Sequence, residues 1–197
     1  MRSATPAETD ALIAFASQHF GARILRRRDA PEFILLKEGM EALGIPSSLL
    51  DTVLAGRSMT IGSLVYLDDL LTPDDVFEVV PHEMTHVLQE AENGFLKNAW
   101  LYAGYTELRA KLEAEAYAVG AAMNYARWKT LPTLDDFRQR IGSGYFLGGA
   151  ELDLARELFE QAVTGAVRTY DATGETGLKS ADVHIEFIRI NYPDLLA

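Results

Sequence analysis

The 197-residue sequence contains no cysteine. Disulfide bonds and thiolate-bound metals are therefore excluded, and a metal site in this chain has to be built from His, Asp or Glu. A cysteine-free chain also fits a reducing compartment, so we expect a cytoplasmic protein. Basic residues are scarce as well, because 18 Lys and Arg stand against 29 Asp and Glu, a net charge of -11. Nucleic-acid binding needs clustered Lys and Arg, so no nucleic-acid partner is expected.

Long apolar runs and targeting signals are also missing. No apolar run approaches the roughly 20 residues that a membrane-spanning helix needs, so no membrane partner is expected. The N-terminal stretch MRSATPAETDALIAF carries Glu8 and Asp10 ahead of a very short apolar segment, which is not the pattern of a signal peptide. The 48% of apolar residues suffices for a sizeable core. Since no repeat or linker interrupts the chain, we expect one domain over residues 1–197.

Helical patterns outweigh strand patterns along the chain. Apolar runs predict short strands at residues 32–38 and within SMTIGSLVYLDD, residues 58–69, which together indicate a small sheet near the front. The expected fold class is therefore α+β and predominantly helical. Helices are predicted at residues 6–18, 46–56, 73–93, 106–129, 134–141, 151–168 and 180–190.

The helix predicted for residues 73–93 has a clear beginning and one irregular position. Thr72 is suited to the N-cap, and Asp75 can complete a capping box with it. Pro81 lies inside the helix and removes one backbone N–H, which predicts a kink or a restart immediately before His82.

The segment VVPHEMTHVLQE carries two histidines four residues apart, with a glutamate directly after the first. Residues i and i+4 of a helix project from one face, about 40° apart, so His82 and His86 can point their imidazoles at a single cation. Glu83 lies about 100° round from His82, near enough to act on a water without being a ligand. A surface helix with two incidental histidines is the alternative. The pattern favours a zinc site in which Glu83 is the catalytic base.

A catalytic zinc of this kind needs a third protein ligand, and a carboxylate is the best candidate. His19 and His184 lie far from the motif in sequence and are typical of ordinary surface or core histidines. The segment ELRAKLEAEAYAVG offers Glu113 and Glu115, which project about 200° apart on a helix, so only one of them can face the metal. Glu115 lies closer to the apolar face, but alanines surround this helix on all sides. Periodicity therefore leaves both glutamates open.

HEMTH at residues 82–86 and EAEAY at residues 113–117 resemble the gluzincin branch of the HExxH zincin metallopeptidases, in which a second helix supplies a glutamate ligand. Many members show Glu-x-x-Ala-Asp or Glu-x-x-Ala-Asn there. Laid on this motif, Glu113 becomes the third ligand, and Glu115 remains the alternative. Tyr117 stands where the family often has an acidic or amide residue that orients a histidine. That role then falls to another residue or to a backbone carbonyl.

The resemblance implies a zincin-like core, with a small sheet ahead of the active-site helix, and a zinc-dependent metallopeptidase that acts on a protein or peptide substrate. The Zn²⁺ ligands would be His82, His86 and Glu113, and Glu83 would activate the water. In zincins the strand ahead of the metal helix commonly pairs with an extended substrate, a role open to residues 58–69, although a strand that merely packs is an equal alternative.

Two other functions compete with peptidase activity. A zinc-binding regulatory or interaction module with little or no turnover is the first, and a helical protein without a metal is the second. An intact Glu83 argues against the module, because a structural zinc site needs no general base and usually closes all four positions with protein ligands.

Overall fold

The computed structural model describes residues 2–31, 35, 38, 58–94, 105–145 and 147–197, the side chains of residues 143–145 excepted. These residues form a predominantly helical fold with a small sheet, as the sequence predicts. The elements in chain order are α1 (Pro6–Phe20), β1 (Arg23–Arg26), a 3-10 turn (Arg27–Asp29), β2 (Met59–Ile61), β3 (Leu64–Leu67), α2 (Pro73–Asn93), α3 (Thr106–Trp128), α4 (Leu134–Tyr145), α5 (Gly149–Thr173), α6 (Lys179–Asn191) and a second 3-10 turn (Pro193–Leu195).

The sheet has three strands within the described ranges, in the order β1–β3–β2. β1 runs parallel to β3, with Arg23 opposite Leu64, whereas β2 pairs with β3 in the antiparallel direction. The single strand predicted within residues 58–69 is therefore wrong, because the chain reverses at Gly62 and Ser63. Gly62 has a φ of +63°, which glycine adopts without steric cost at the first central position of a two-residue hairpin.

Two other predicted elements fall largely on residues that the structure does not describe. The helix at 46–56 lies wholly outside the described residues, and so does most of the strand at 32–38. The two described positions of that strand, Leu35 and Glu38, have helical backbone conformation, so they contradict the strand. The third strand of the sheet is instead β1, which no sequence pattern predicts because it holds only two apolar residues.

The beginning of α2 follows the predicted capping box. The Thr72 side chain accepts a hydrogen bond from the Asp75 backbone N–H, and the Asp75 carboxylate accepts one from the Thr72 N–H at 2.9 Å. A threonine and an acidic residue three positions later therefore define where this helix starts. The same arrangement begins α1 at Thr5 and Glu8, and α4 at Thr133 and Asp136.

α2 continues through Pro81 as one helix, so of the predicted kink or restart before His82, the restart does not occur. The Pro81 carbonyl accepts hydrogen bonds from Thr85 Oγ1 at 3.0 Å and from Ser180 Oγ at 2.7 Å. Ser180 belongs to α6. A second helix therefore holds α2 at the residue next to the first motif histidine.

α3 is buried on two sides. Val119 and Met123 pack into a hydrophobic cluster formed with α1, the sheet, α2 and α6. Ala114 and Ala118 pack into a second cluster with α4 and α5. The alanines spread round α3 because the helix has two buried faces rather than one. None of the helices in the described ranges combines the length and the apolar character that a bilayer span requires.

Candidate metal centre

His82, His86 and Glu113 come together between α2 and α3. His82 Nε2 lies 3.9 Å from Glu113 Oε2, and His86 Nε2 lies 3.5 Å from Glu113 Oε1. One potential ligand atom from each residue lies within 4.8 Å of the other two. In the part of the chain that the structure describes, these three side chains form a group compact enough to hold a metal ion.

The donor set and its spacing could hold a metal ion, and a tetrahedral zinc site gives a scale for the distances. Donor atoms of a tetrahedral zinc site lie about 3.4 Å apart, given typical zinc–nitrogen and zinc–oxygen distances of about 2.1 Å. The nitrogen–oxygen distances are 3.5 Å and 3.9 Å, and they run to different oxygens of Glu113. The rings of His82 and His86 lie 5.0 Å apart at 79°, as expected for side chains on successive turns of one helix face. Glu113 is 1% exposed, so its carboxylate is held away from bulk water.

His86 is oriented by Gln89, one turn further along α2. His86 Nδ1 lies 2.8 Å from Gln89 Oε1, and Gln89 Nε2 donates to the Leu112 carbonyl at 3.1 Å and to Glu115 Oε2 at 2.8 Å. Because the amide nitrogen is engaged by two acceptors, the amide oxygen faces the ring, so Nδ1 carries the proton. In the neutral ring, Nε2 then presents its lone pair towards Glu113.

Glu115 lies outside the group of potential ligands. Its side chain is exposed, and its carboxylate accepts a hydrogen bond from Gln89. Of the two glutamates that the sequence left open, the structure therefore brings Glu113 to the histidines and places Glu115 behind His86. Glu115 bonds to Gln89, and Gln89 bonds to His86. Glu115 would therefore influence a metal ion only through these two side chains.

His82 is held by the backbone of α3 and by an aromatic side chain. Its ring makes a hydrogen bond with the backbone of Ala116, and the Tyr117 ring lies 4.7 Å away at 84°. Tyr117 is the position at which the sequence departs from the gluzincin pattern. A backbone group of Ala116, the residue before Tyr117, therefore contacts His82.

Glu83 is buried beside the ligand group but is not part of it. Its side chain faces the sheet, where Glu83 Oε2 accepts a hydrogen bond from Thr60 Oγ1 at 2.6 Å. Burial raises the pKa of Glu83 to about 7, against the opposing effects of His86 and of the Thr60 hydrogen bond. The structure therefore separates this carboxylate from the one that joins the histidines.

The two imidazoles differ in their affinity for a proton. Burial, reinforced by the neighbouring His86, lowers the pKa of His82 to about 3. Burial also disfavours the charged form of His86, but the adjacent Glu113 carboxylate outweighs it and raises the pKa of His86 to about 9. Because Glu113 favours the protonated form of His86, a metal that binds through His86 Nε2 would have to displace a proton there.

The other two histidines lie apart from this group. His184 is fully buried in α6, with its ring stacked on Phe20 at 5.4 Å and its Nδ1 2.6 Å from the Ser180 carbonyl. His19 is exposed on α1, with its ring 5.5 Å from that of Phe15. Their interpretation as ordinary core and surface histidines agrees with these surroundings.

Thr60 and Gln89 are the residues at the site that the sequence reasoning missed. Gln89 lies three positions after His86, so helical geometry offered a signal for that contact. Thr60 lies on a separate strand, and no local pattern connects it with Glu83. Comparisons with protein-family models, with curated proteins and with solved structures give no match to this chain. The likeness to zincins therefore stands on the residues themselves.

Proposed function

We propose that this chain is a zinc-dependent metallopeptidase that hydrolyses peptide bonds of a protein or peptide substrate. One observation carries the proposal: two imidazoles and a buried carboxylate from two helices meet at one point. Glu83, a second buried carboxylate, follows His82 in the chain and interacts electrostatically with His86 and Glu113. A site that only stores a metal has no need for that second carboxylate.

Zinc is the metal we propose for the site. Two imidazoles and one carboxylate are a donor set of catalytic zinc, and three protein ligands leave one position open for water. When bound, zinc would polarise the substrate carbonyl and lower the pKa of a coordinated water. His82, His86 and Glu113 would hold the ion.

Glu83 is the residue we assign as general base. The glutamate that follows the first histidine projects from the same part of α2 as the ligands without joining them. It would take a proton from the attacking water and pass it to the leaving amine, which is the proton transfer that amide hydrolysis requires. Burial excludes competing water from the carboxylate, which is 4% exposed as a residue.

Substituting Glu83→Gln tests this role. The amide keeps the shape of the side chain but cannot take a proton, so we expect zinc content to remain and kcat to fall by about 10²–10⁴-fold. Metal analysis together with cleavage of an unfolded protein substrate measures both quantities. Glu157→Gln, on the exposed side of α5, is the matched control and should retain the wild-type rate.

The same measurements distinguish the peptidase hypothesis from the hypothesis of a zinc-binding regulatory or interaction module. A folded, zinc-loaded Glu83→Gln protein with wild-type turnover would refute the role of Glu83. Wild-type protein that holds zinc fully but cleaves no substrate would instead favour the regulatory or interaction module.

A further inference from the structure

We propose that Thr60 is a positioning residue for Glu83, holding the carboxylate from the sheet while α3 holds the metal ligands. This inference rests on the proposed function and adds a residue that no motif contains.

The geometry of the Thr60 hydroxyl fits this role. Thr60 Oγ1 lies 2.6 Å from Glu83 Oε2 and 3.4 Å from the Glu83 carbonyl oxygen. A hydroxyl has a single proton to donate, and the shorter contact has the length of a charge-assisted O–H···O⁻ bond. Since Glu83 is 4% exposed, water competes little for this bond. The bond therefore has the strength to select one orientation of the carboxylate.

The metal ligands and the base are supported by different elements. His86 is held through Gln89, which bonds to α3 at Leu112 and Glu115. His82 is held by the α3 backbone at Ala116. The support of Glu83 comes instead from Thr60 on β2. A change at Thr60 should therefore act on turnover, and a change at Gln89 should act on metal binding.

Other charges near Glu83 explain why a positioning group is useful. Arg27, in the turn after β1, attracts the carboxylate, whereas Glu113 on α3 repels it. A glutamate side chain turns about several bonds, so these forces pull it towards different places. The Thr60 bond opposes such turning. A misplacement of about 1 Å at a reacting group can cost about 10²-fold in rate.

Two substitutions at Thr60 test the inference in the zinc-loaded full chain. Thr60→Val removes the hydroxyl but keeps the branched shape that suits a strand. We expect unchanged zinc affinity, little change in KM and a kcat lower by about 10–100-fold. Thr60→Ser keeps the hydroxyl and should restore most of the rate. Gln89→Leu should show the opposite pattern, with zinc affinity lower by about 10–100-fold.

A matched control and two outcomes decide the matter. Thr9→Val removes a buried hydroxyl that donates to the carbonyl of Thr5, the N-cap of α1, and it should change neither quantity. A Thr60→Val enzyme with kcat within about 2-fold of wild type would overturn the inference. Loss of zinc as severe as in Gln89→Leu would overturn the separation between the two supports.

Failure of the proposed function is distinguishable from failure of this inference. If the wild type binds zinc but cleaves nothing, the peptidase proposal is wrong. The coupling between Thr60 and Glu83 can then be measured from the free energies of unfolding of Thr60→Val, Glu83→Ala and the double variant. Non-additive effects would support the bond, and additive effects would refute it.

Discussion

Glu113 and Glu115 lie two positions apart on α3 and have opposite surroundings. Glu113 is buried against both histidines, whereas Glu115 is exposed and accepts a hydrogen bond from Gln89. We expect Glu113→Gln to weaken zinc binding by more than about 100-fold, because an amide replaces a charged ligand. Glu115→Gln should stay within about 10-fold of wild type, since its amide oxygen can still accept from Gln89. Competition with a chelator of known affinity measures both constants.

The opposite ranking would contradict this assignment. If Glu115→Gln lost zinc while Glu113→Gln kept it, the alternative ligand left open by helix periodicity would be correct.

At the residue scale, a contact is predictable from sequence when both residues lie on one helix. His82 and His86 are such a case, because their four-residue spacing fixes the directions in which the two side chains project. The choice between Glu113 and Glu115 needed the family resemblance. Because α3 is buried on two faces, its residue periodicity does not identify one buried face. The contact of Thr60 with Glu83 joins a strand to a helix. No pattern within either segment contains it.

At the element scale, three helices in the described ranges have beginnings that are encoded locally, whereas α3, α5 and α6 begin without a side-chain cap. Threonine followed by an acidic residue at the third position marks the beginnings of α1, α2 and α4. Strands β1, β2 and β3 have three or four residues each, too few for alternation to be read. Hydrogen bonds between the strands, rather than the residue pattern of each strand, define this sheet. One predicted strand is therefore a hairpin in the structure, and β1 was not predicted.

The cap of α1 gives a prediction about acid stability. Glu8 accepts hydrogen bonds from the Thr5 backbone N–H at 2.8 Å and from Arg2 Nη1 at 2.9 Å. The Arg2 hydrogen bond is the main reason that the pKa of Glu8 is lowered from 4.5 to about 2. We expect Glu8→Gln to lower the free energy of unfolding by about 1 kcal/mol at pH 7. Urea denaturation of both proteins measures this difference.

The sign of the pH effect follows from the lowered pKa. The contribution of Glu8 is fully present above pH 4.5 and is lost as the pH falls towards 2, where the protonated carboxyl resembles glutamine. The wild-type and Glu8→Gln curves should therefore converge in acid. Glu107→Gln, which breaks an exposed pair with Lys111, is the control and should cost under about 0.5 kcal/mol. A constant difference from pH 7 to pH 2 would contradict the assignment.

At the scale of the whole molecule, one buried arginine joins three parts of the chain. Arg127, near the end of α3, is 1% exposed and donates to Asp74 Oδ1 at 2.5 Å. Its guanidinium lies 4.6 Å from the centre of the Phe77 ring. Asp74 Oδ1 also accepts from the Ala4 backbone N–H at 3.0 Å. The N-terminal segment, the start of α2 and the end of α3 therefore meet at this pair.

The two members of that pair should respond differently to substitution. Asp74→Asn leaves a buried guanidinium without its counter-charge, so we expect a loss of about 2–3 kcal/mol in the free energy of unfolding. Arg127→Met removes the charge and keeps apolar volume, and it should cost under about 1.5 kcal/mol. Thermal and urea unfolding of the two variants give the comparison. A larger loss for Arg127→Met would mean that the arginine stabilises the fold mainly through its packing on the aromatic rings.

The two buried faces of α3 also have a kinetic consequence. Local opening of this helix would bring both hydrophobic clusters into contact with water at once. Its backbone amides in the middle turns should therefore exchange hydrogen only when the whole protein unfolds, while the ends of α5 and α6 exchange through fraying. Glu113, the carboxylate of the candidate metal centre, is thus carried by a helix that cannot open without exposing both clusters.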